Sequence, residues 1–161
     1  MTDLIPQLKI AQQNKQAWRL RFAVAENSAQ IAKHMKKEHV DQYIIPIYTT
    51  LMNDSEPEVR SEAVNRIAEL AEFCTSSNIV QKVLPGLKLQ LTTESSQHVK
   101  GSMAFAVCKI AEKLKPEDVA THLIPMVSIL LKNNSTEVVV SLVENLETLV
   151  SMLDKIGRAH V

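Results

Sequence analysis

The sequence predicts an all-α solenoid, a superhelix of antiparallel helix pairs, and three observations carry that prediction. Prolines preceded by an apolar residue stand at Pro6, Pro46, Pro85 and Pro125, which are 40, 39 and 40 residues apart. The triplets Arg19-Leu20-Arg21, Glu58-Val59-Arg60, His98-Val99-Lys100 and Glu137-Val138-Val139 follow those prolines after nearly constant gaps, so their third members step by 39, 40 and 39. Each unit also repeats one internal order: an apolar segment, a short polar turn, then a second apolar-periodic segment. A period near 40 with two helical segments per unit marks a stacked array, and four units exceed the roughly three needed to bury a continuous core. The expected units are about 1–36, 37–75, 76–115 and 116–155.

In the first unit, Leu4 to Ile10 reads as a short apolar helix and Gln13 to Gln16 as the turn. From Trp18 to Met35, Leu20, Val24, Ala25, Ile31, Ala32 and Met35 recur at helical intervals and predict one packed face. The second unit pairs Val40–Met52 with Glu56–Phe73. Ser55 reads as an N-cap with Glu58 three residues on, and Pro57 suits a first turn, where its missing N–H has no intrahelical partner to lose. Val59, Ala63, Ile67, Leu70, Ala71 and Phe73 mark its stripe. The third unit pairs Asn78–Leu91 with Ser95–Leu114, with Ser95 in the capping place. Gly101 inside that helix is either a close approach of two backbones or a tolerated defect of about 1 kcal/mol.

The fourth unit begins at Pro116-Glu117-Asp118, a proline and two acids in a first turn. Its turn, Lys132 to Ser135, has Asn134 as the expected cap. The last helix carries Val138, Val139, Val140, Leu142, Val143, Leu146, Leu149, Val150, Met152 and Leu153, so few polar faces remain and a further repeat is expected to cover it. Residues before proline avoid the α region, so each first helix should kink or restart at Pro6, Pro46, Pro85 and Pro125.

Composition narrows the function. Hydrophobic content is 45% with 22% charged, and no apolar run approaches the roughly 20 residues that cross a bilayer. With 18 basic and 18 acidic side chains there is no clustered basic excess for neutralising phosphates, so neither nucleic acid nor membrane is an expected partner. Lys33, Lys36 and Lys37 with His34 and His39 form one basic cluster, read as a solvated helix end. The N-terminus lacks a basic region followed by a long apolar core, so the expected location is cytoplasmic, with the nucleus also open. Cys74 and Cys108 stand 34 apart and outside any CxxC spacing, which reads as two buried thiols.

Nothing in the spacing points to catalysis. His34 and His39 fall on different helix faces, Ser and Thr residues lack an evident base, and Gly86, Gly101 and Gly157 are too far apart for a phosphate loop. No enzyme, cofactor or metal site is expected. Trp18, the sole tryptophan, sits at a turn-to-helix junction as either a binding anchor or inter-repeat packing. Asp54, Glu56 and Glu58 cluster at the second turn, suited either to a basic partner or to solvation and capping.

The units resemble HEAT repeats. Trp18-Arg19-Leu20-Arg21, Pro57-Glu58-Val59-Arg60, Ser96-Gln97-His98-Val99-Lys100 and Leu123-Ile124-Pro125 are similar to the central repeats of the scaffold subunit of type 2A protein serine/threonine phosphatase, over about residues 1–155. The resemblance implies a non-catalytic scaffold whose intra-repeat turns form a ridge for a regulatory subunit, with the catalytic subunit held by repeats outside this stretch. On this sequence the implied ridge comprises Asn14, Lys15, Trp18 and Arg21; Asn53, Asp54, Glu56, Pro57 and Arg60; Glu94, Gln97, His98 and Lys100; and Asn134 with Glu137. The basic residue opening each second helix is kept at Arg21, Arg60 and Lys100 and replaced by Val139 in the fourth unit. That family has more repeats than four, so this chain is expected to be part of a longer protein. Ile156–Val161 is a sequence that a common sequencing adapter encodes and is expected to be a non-native tail in which His160 has no role. Two other readings share the fold. A HEAT or armadillo-type transport or assembly adaptor would show a charged or tryptophan-lined inner face, and a HEAT-like DNA glycosylase would show a basic groove, aromatics and a catalytic acid.

Overall fold

The computed structural model describes residues 3–159, all of whose regular elements are helical. Four helix pairs stack along the chain. The first pair is α1 (Leu4–Gln13) and α2 (Trp18–Lys33). The second is a compound first helix, α3 (Lys37–His39), a π-helical stretch Val40–Ile44 and α4 (Ile45–Leu51), followed by α5 (Pro57–Ala71). The third repeats this plan with α6 (Ser76–Asn78), π-helical Ile79–Val83, α7 (Leu84–Thr93) and α8 (Gln97–Ala111). The fourth has α9 (Pro116–Asp118), π-helical Val119–Leu123, α10 (Ile124–Leu131), α11 (Thr136–Glu144) and α12 (Leu146–Ala159).

Each proline leaves its mark on the compound helices. A proline lacks the N–H for an i→i−4 bond, and its ring crowds the carbonyl four residues back. The chain widens by one residue ahead of it. The N–H of Ile45 bonds to the carbonyl of Val40, that of Leu84 to Ile79, and that of Ile124 to Val119, all five residues apart. The α-helix then restarts with Pro46, Pro85 or Pro125 in its first two positions. At these three prolines this is the restart that the spacing predicts, reached through a π-turn and not a sharp kink, whereas Pro6 lies within the first turn of α1, which runs unbroken from Leu4 to Gln13.

Second helices pack side by side, α2 on α5, α5 on α8 and α8 on α11, and the buried core runs continuously from Val24 to Leu142. Ser61 and Ser102 meet at 2.8 Å across the α5–α8 contact, satisfying two buried hydroxyls at once. Tyr48, fully buried, donates its hydroxyl to the Ala63 carbonyl and ties α4 to α5. Asp41 accepts from the Thr75 hydroxyl at 2.9 Å, so the start of the second unit is fastened to the start of the third. Gly101 marks a close approach: a Cβ there would sit 3.4 Å from the Glu137 Cβ and 3.5 Å from its carbonyl oxygen. These are ordinary van der Waals distances, so the two helices pack closely at Gly101 but leave room for a methyl, and the approach does not by itself require glycine.

Three expected caps shift. The residue before a proline is held extended, so α5 starts at Pro57 with Glu56 at its N-cap, and Ser55 falls outside the helix and bonds to Asp54 instead. In the third unit Ser96, not Ser95, accepts from the Val99 N–H at 3.4 Å. In the fourth, Ser135 occupies the cap and Asn133, not Asn134, supplies the turn's acceptor. The last helix also breaks at Asn145, whose amide donates to the Ser141 carbonyl at 2.8 Å while its backbone leaves helical geometry. The helix beyond the break crosses the boundary at 155. Within the apolar set expected on that helix, the side chains of Leu146, Leu149 and Met152 lie outside the described residues, as do His160 and Val161. Val139, Val140, Val143, Val150 and Leu153 are exposed.

Candidate functional site

All four turns between paired helices are built on one local device. A side-chain oxygen accepts the N–H two residues on: Asn14 from Gln16 at 3.2 Å, Asp54 from Glu56 at 2.9 Å, Glu94 from Ser96 at 2.8 Å, and Asn133 from Ser135 at 3.0 Å. Short polar side chains that bond their own backbone in this way stop one helix and aim the next.

A guanidinium then locks each of the first two turns to its neighbour. Arg21 donates through Nη1 to the carbonyls of Asn14 and Lys15 at 2.6 and 3.0 Å, bracing its own turn. Its Nε and Nη2 reach Asp54 in the next unit at 2.6 and 2.8 Å. Arg60 repeats the pattern one unit on, with Asp54 and Ser55 carbonyls at 2.8 and 3.1 Å and Glu94 at 2.7 and 2.9 Å. Such forked, charge-assisted pairs fix angle as well as distance, because the guanidinium plane must meet both carboxylate oxygens. Both pairs are largely buried: side-chain exposure is 5% and 7% for Arg21 and Asp54, and 15% and 2% for Arg60 and Glu94.

Burial by itself would raise the Asp54 carboxyl, but the Arg21 hydrogen bonds, the Glu56 N–H and the Arg21 charge outweigh it and hold the group below the ordinary carboxylate range. Glu94 is likewise held low, with burial opposed by Arg60 and the Ser96 N–H. Both acids are charged at neutral pH, and both arginines are raised, chiefly by hydrogen bonds to their acids.

The ladder stops after two rungs. Lys100 takes the third basic place, yet the matching acceptor place holds neutral Asn133, and no ion pair forms between units three and four at that level among the described residues. In its stead the exposed His98 Nδ1 lies 3.4 Å from Glu137 Oε2.

The structure therefore divides the ridge residues singled out by sequence. Arg21, Asp54, Arg60 and Glu94 are engaged inside the chain as the pins between turns, so their side chains are not the offered surface. Asn14, Lys15, Asn53, Gln97, His98, Asn134 and Glu137 are exposed along the same edge. Glu56, Pro57 and Lys100 are half-buried. Trp18 is half-buried too, packed against the core edge-on to Phe22 with centroids 6.5 Å apart, and Arg19 lies 4.7 Å over its ring.

Sequence reasoning missed Gln12, Gln13 and Thr50. They join Lys15, Asn53 and Ser55 around a groove of about 490 Å³ between the first and second turns, floored by the Arg21–Asp54 pair. The signal for them is that each lies within a helical turn of the turn residues at Gln16 or Asp54. The two cysteines are free and buried away from this edge, and burial pushes Cys74 up to about 12 and Cys108 up to about 11. Among the described residues no group of His, Cys, Asp or Glu gathers as a metal site, and no helix is long and apolar enough to cross a membrane.

Residues 37–115 match the family described as PPP2R1A-like HEAT repeat. The chain is 30% identical over 108 residues to the beta isoform of the 65 kDa regulatory subunit of serine/threonine-protein phosphatase 2A from Homo sapiens, covering 65% of this chain and 18% of that protein. It is 29% identical over 89 residues to the corresponding subunit of Mus musculus, covering 53% of this chain and 15% of that one. The chain thus spans less than a fifth of the length of either relative. Paired helices at the repeat spacing and both comparisons agree that residues 37–115 are PPP2R1A-like HEAT repeats.

Proposed function

We propose that this chain is a non-catalytic scaffold of a serine/threonine phosphatase, and that the edge formed by its intra-repeat turns holds a regulatory subunit. The observation that carries the reading is the pinned row of turns itself. Arg21 and Arg60 hold consecutive turns in fixed register, and the remaining polar side chains of those turns face outward together. A partner that touches several turns at once meets a pre-ordered surface, which lowers the entropy lost on binding. Both relatives are named as regulatory subunits, which supports a role in positioning the enzyme without performing chemistry of its own. Such a scaffold would work in the cytoplasm and nucleus.

The test is direct binding of a purified phosphatase 2A regulatory subunit to the full chain by calorimetry. Lys15→Glu combined with Asn53→Lys changes two exposed ridge side chains without touching a pin. Affinity should fall by at least about tenfold while helical circular dichroism stays the same. Wild-type affinity in that folded variant would overturn the reading.

A further inference from the structure

Two rungs of the ladder close inside the chain, and the third has a cation without an acid. Arg21 meets Asp54 and Arg60 meets Glu94, each arginine opening the second helix of one unit and each carboxylate standing in the turn of the next. Lys100 holds the arginine place in the third unit, by the triplet register that aligns it with Arg21 and Arg60. The carboxylate place in the fourth turn belongs to Asn133. Its side chain accepts the Ser135 N–H two residues on, as Asp54 accepts from Glu56 and Glu94 from Ser96. Among the described residues, the Lys100 ammonium takes part in no ion pair.

The third and fourth turns nevertheless lie side by side. His98 Nδ1 is 3.4 Å from Glu137 Oε2 and Gly101 packs close to Glu137, so residues on both sides of Lys100 touch the first turn of α11. Lys100 is half-buried at that level. The acid of its own turn, Glu94, is already held by two nitrogens of Arg60, and Glu137 faces His98. Lys132, exposed on the fourth turn, adds a second positive charge. With the internal pins set aside, the third and fourth turns present Lys100 and Lys132 against Glu137, whereas the second turn presents Glu56 and Glu58. An acidic group on a partner is therefore repelled at the second turn and drawn to Lys100.

We propose that the regulatory partner completes this third rung from outside, an Asp or Glu side chain of that partner pairing with Lys100 at the place that Asp54 and Glu94 fill in the two rungs before it. The inference rests on the scaffold reading above and names the chemistry that one part of the ridge selects. A carboxylate is the occupant because the same place holds a carboxylate twice inside the chain. Lysine suits an incoming acid: its compact ammonium on a flexible stem pairs without the fixed fork geometry that Arg21 and Arg60 use internally. Lys100 is then a specificity-determining residue. A partner that covers it and brings no acid leaves a desolvated charge unpaired and is rejected.

Calorimetry of the full chain with a purified phosphatase 2A regulatory subunit over a series of salt concentrations tests it, with circular dichroism confirming that each variant is folded. Lys100→Met should lower affinity about tenfold at low salt and flatten its salt dependence, while Lys100→Arg should keep both near wild type. Lys100→Arg combined with Asn133→Asp closes the rung inside the chain and uses up the cation. It should bind as weakly as Lys100→Met although the array is firmer, whereas an effect exerted through stiffness alone would strengthen binding. Wild-type affinity and salt dependence in Lys100→Met, or undiminished binding by the double variant, overturns the proposal. Should Lys15→Glu with Asn53→Lys weaken binding while Lys100→Met does not, the turns are still the binding edge and only the third-rung pairing is refuted. A wild type that binds no regulatory subunit refutes both.

Discussion

Removing one arginine from the ladder should expose how much of the array's order depends on it. Arg60→Met keeps most of the side-chain volume and deletes both bonds to Glu94 and both to the Asp54 and Ser55 carbonyls. The carbonyls lie at a surface turn where water can replace the guanidinium. Glu94 cannot be rehydrated as easily, since its side chain is 2% exposed, and it keeps only the Ser96 N–H and the neighbouring Gln90 amide to support it. Breaking a buried pair from one side costs about 3–5 kcal/mol, and the surviving N–H bond places this case near the lower end.

The pH dependence gives a second handle. In the wild type the Glu94 carboxyl is held low, so its contribution is present above the ordinary carboxylate pKa and lost as pH falls through the lowered value. In Arg60→Met, burial is no longer outweighed and the same carboxyl rises. The variant is then penalised most at neutral pH and recovers as acid protonates Glu94. Urea unfolding followed by circular dichroism at neutral and mildly acidic pH measures both effects. The expected result is a deficit of about 3 kcal/mol at neutral pH that shrinks on acidification, largely repaired by Arg60→Met with Glu94→Met. A neutral-pH loss below about 1 kcal/mol, the range of exposed pairs, would refute the reasoning.

Three further outcomes follow from particular residues. Lys100→Arg with Asn133→Asp should install the missing third rung and raise the stability of the full chain by about 1 kcal/mol in thermal denaturation, whereas either change alone should not. Gln90 is 3% exposed with neither amide atom hydrogen-bonded, five residues past its proline where Leu51 and Leu130 stand in other units. Gln90→Leu should therefore stabilise by about 1 kcal/mol in urea titrations, the relief of poorly met polar groups exceeding the loss of the Gln90 amide beside the Glu94 carboxylate. Cys74 and Cys108, buried and raised to about 12 and about 11, should react with a thiol reagent at neutral pH only on unfolding. Reaction at a free-thiol rate in the folded protein would contradict their placement.

Much of the architecture was legible because a stacked array writes its geometry into the spacing of residues. The prolines and triplets give the pairing of helices, and the Val59, Val99 and Val138 register gives the buried side of each second helix. What stayed hidden depends on contacts between units. Arg21 and Arg60 stand out by position, but their acceptors lie 33 and 34 residues away, and nothing local distinguishes Asp54 or Glu94 as an inward-facing acid from Glu56 or Glu58. The caps slipped by one residue because a proline and an acceptor two residues upstream set the helix start in competition with the serine. The prolines foretell a kink or restart in each compound helix but not its π-helical form, and the break at Asn145 leaves no periodic trace in the sequence.

The central claim is that the exposed edge of the turns is where a protein partner binds. Hydrogen–deuterium exchange of the chain, free and saturated with a phosphatase 2A regulatory subunit, tests it most directly. The account predicts added protection concentrated in the turns around Asn14–Gln16, Asn53–Glu56, Glu94–Gln97 and Asn133–Thr136. Protection confined to the outer faces of the first helices or the open faces of the second, with the turns unchanged, would contradict it.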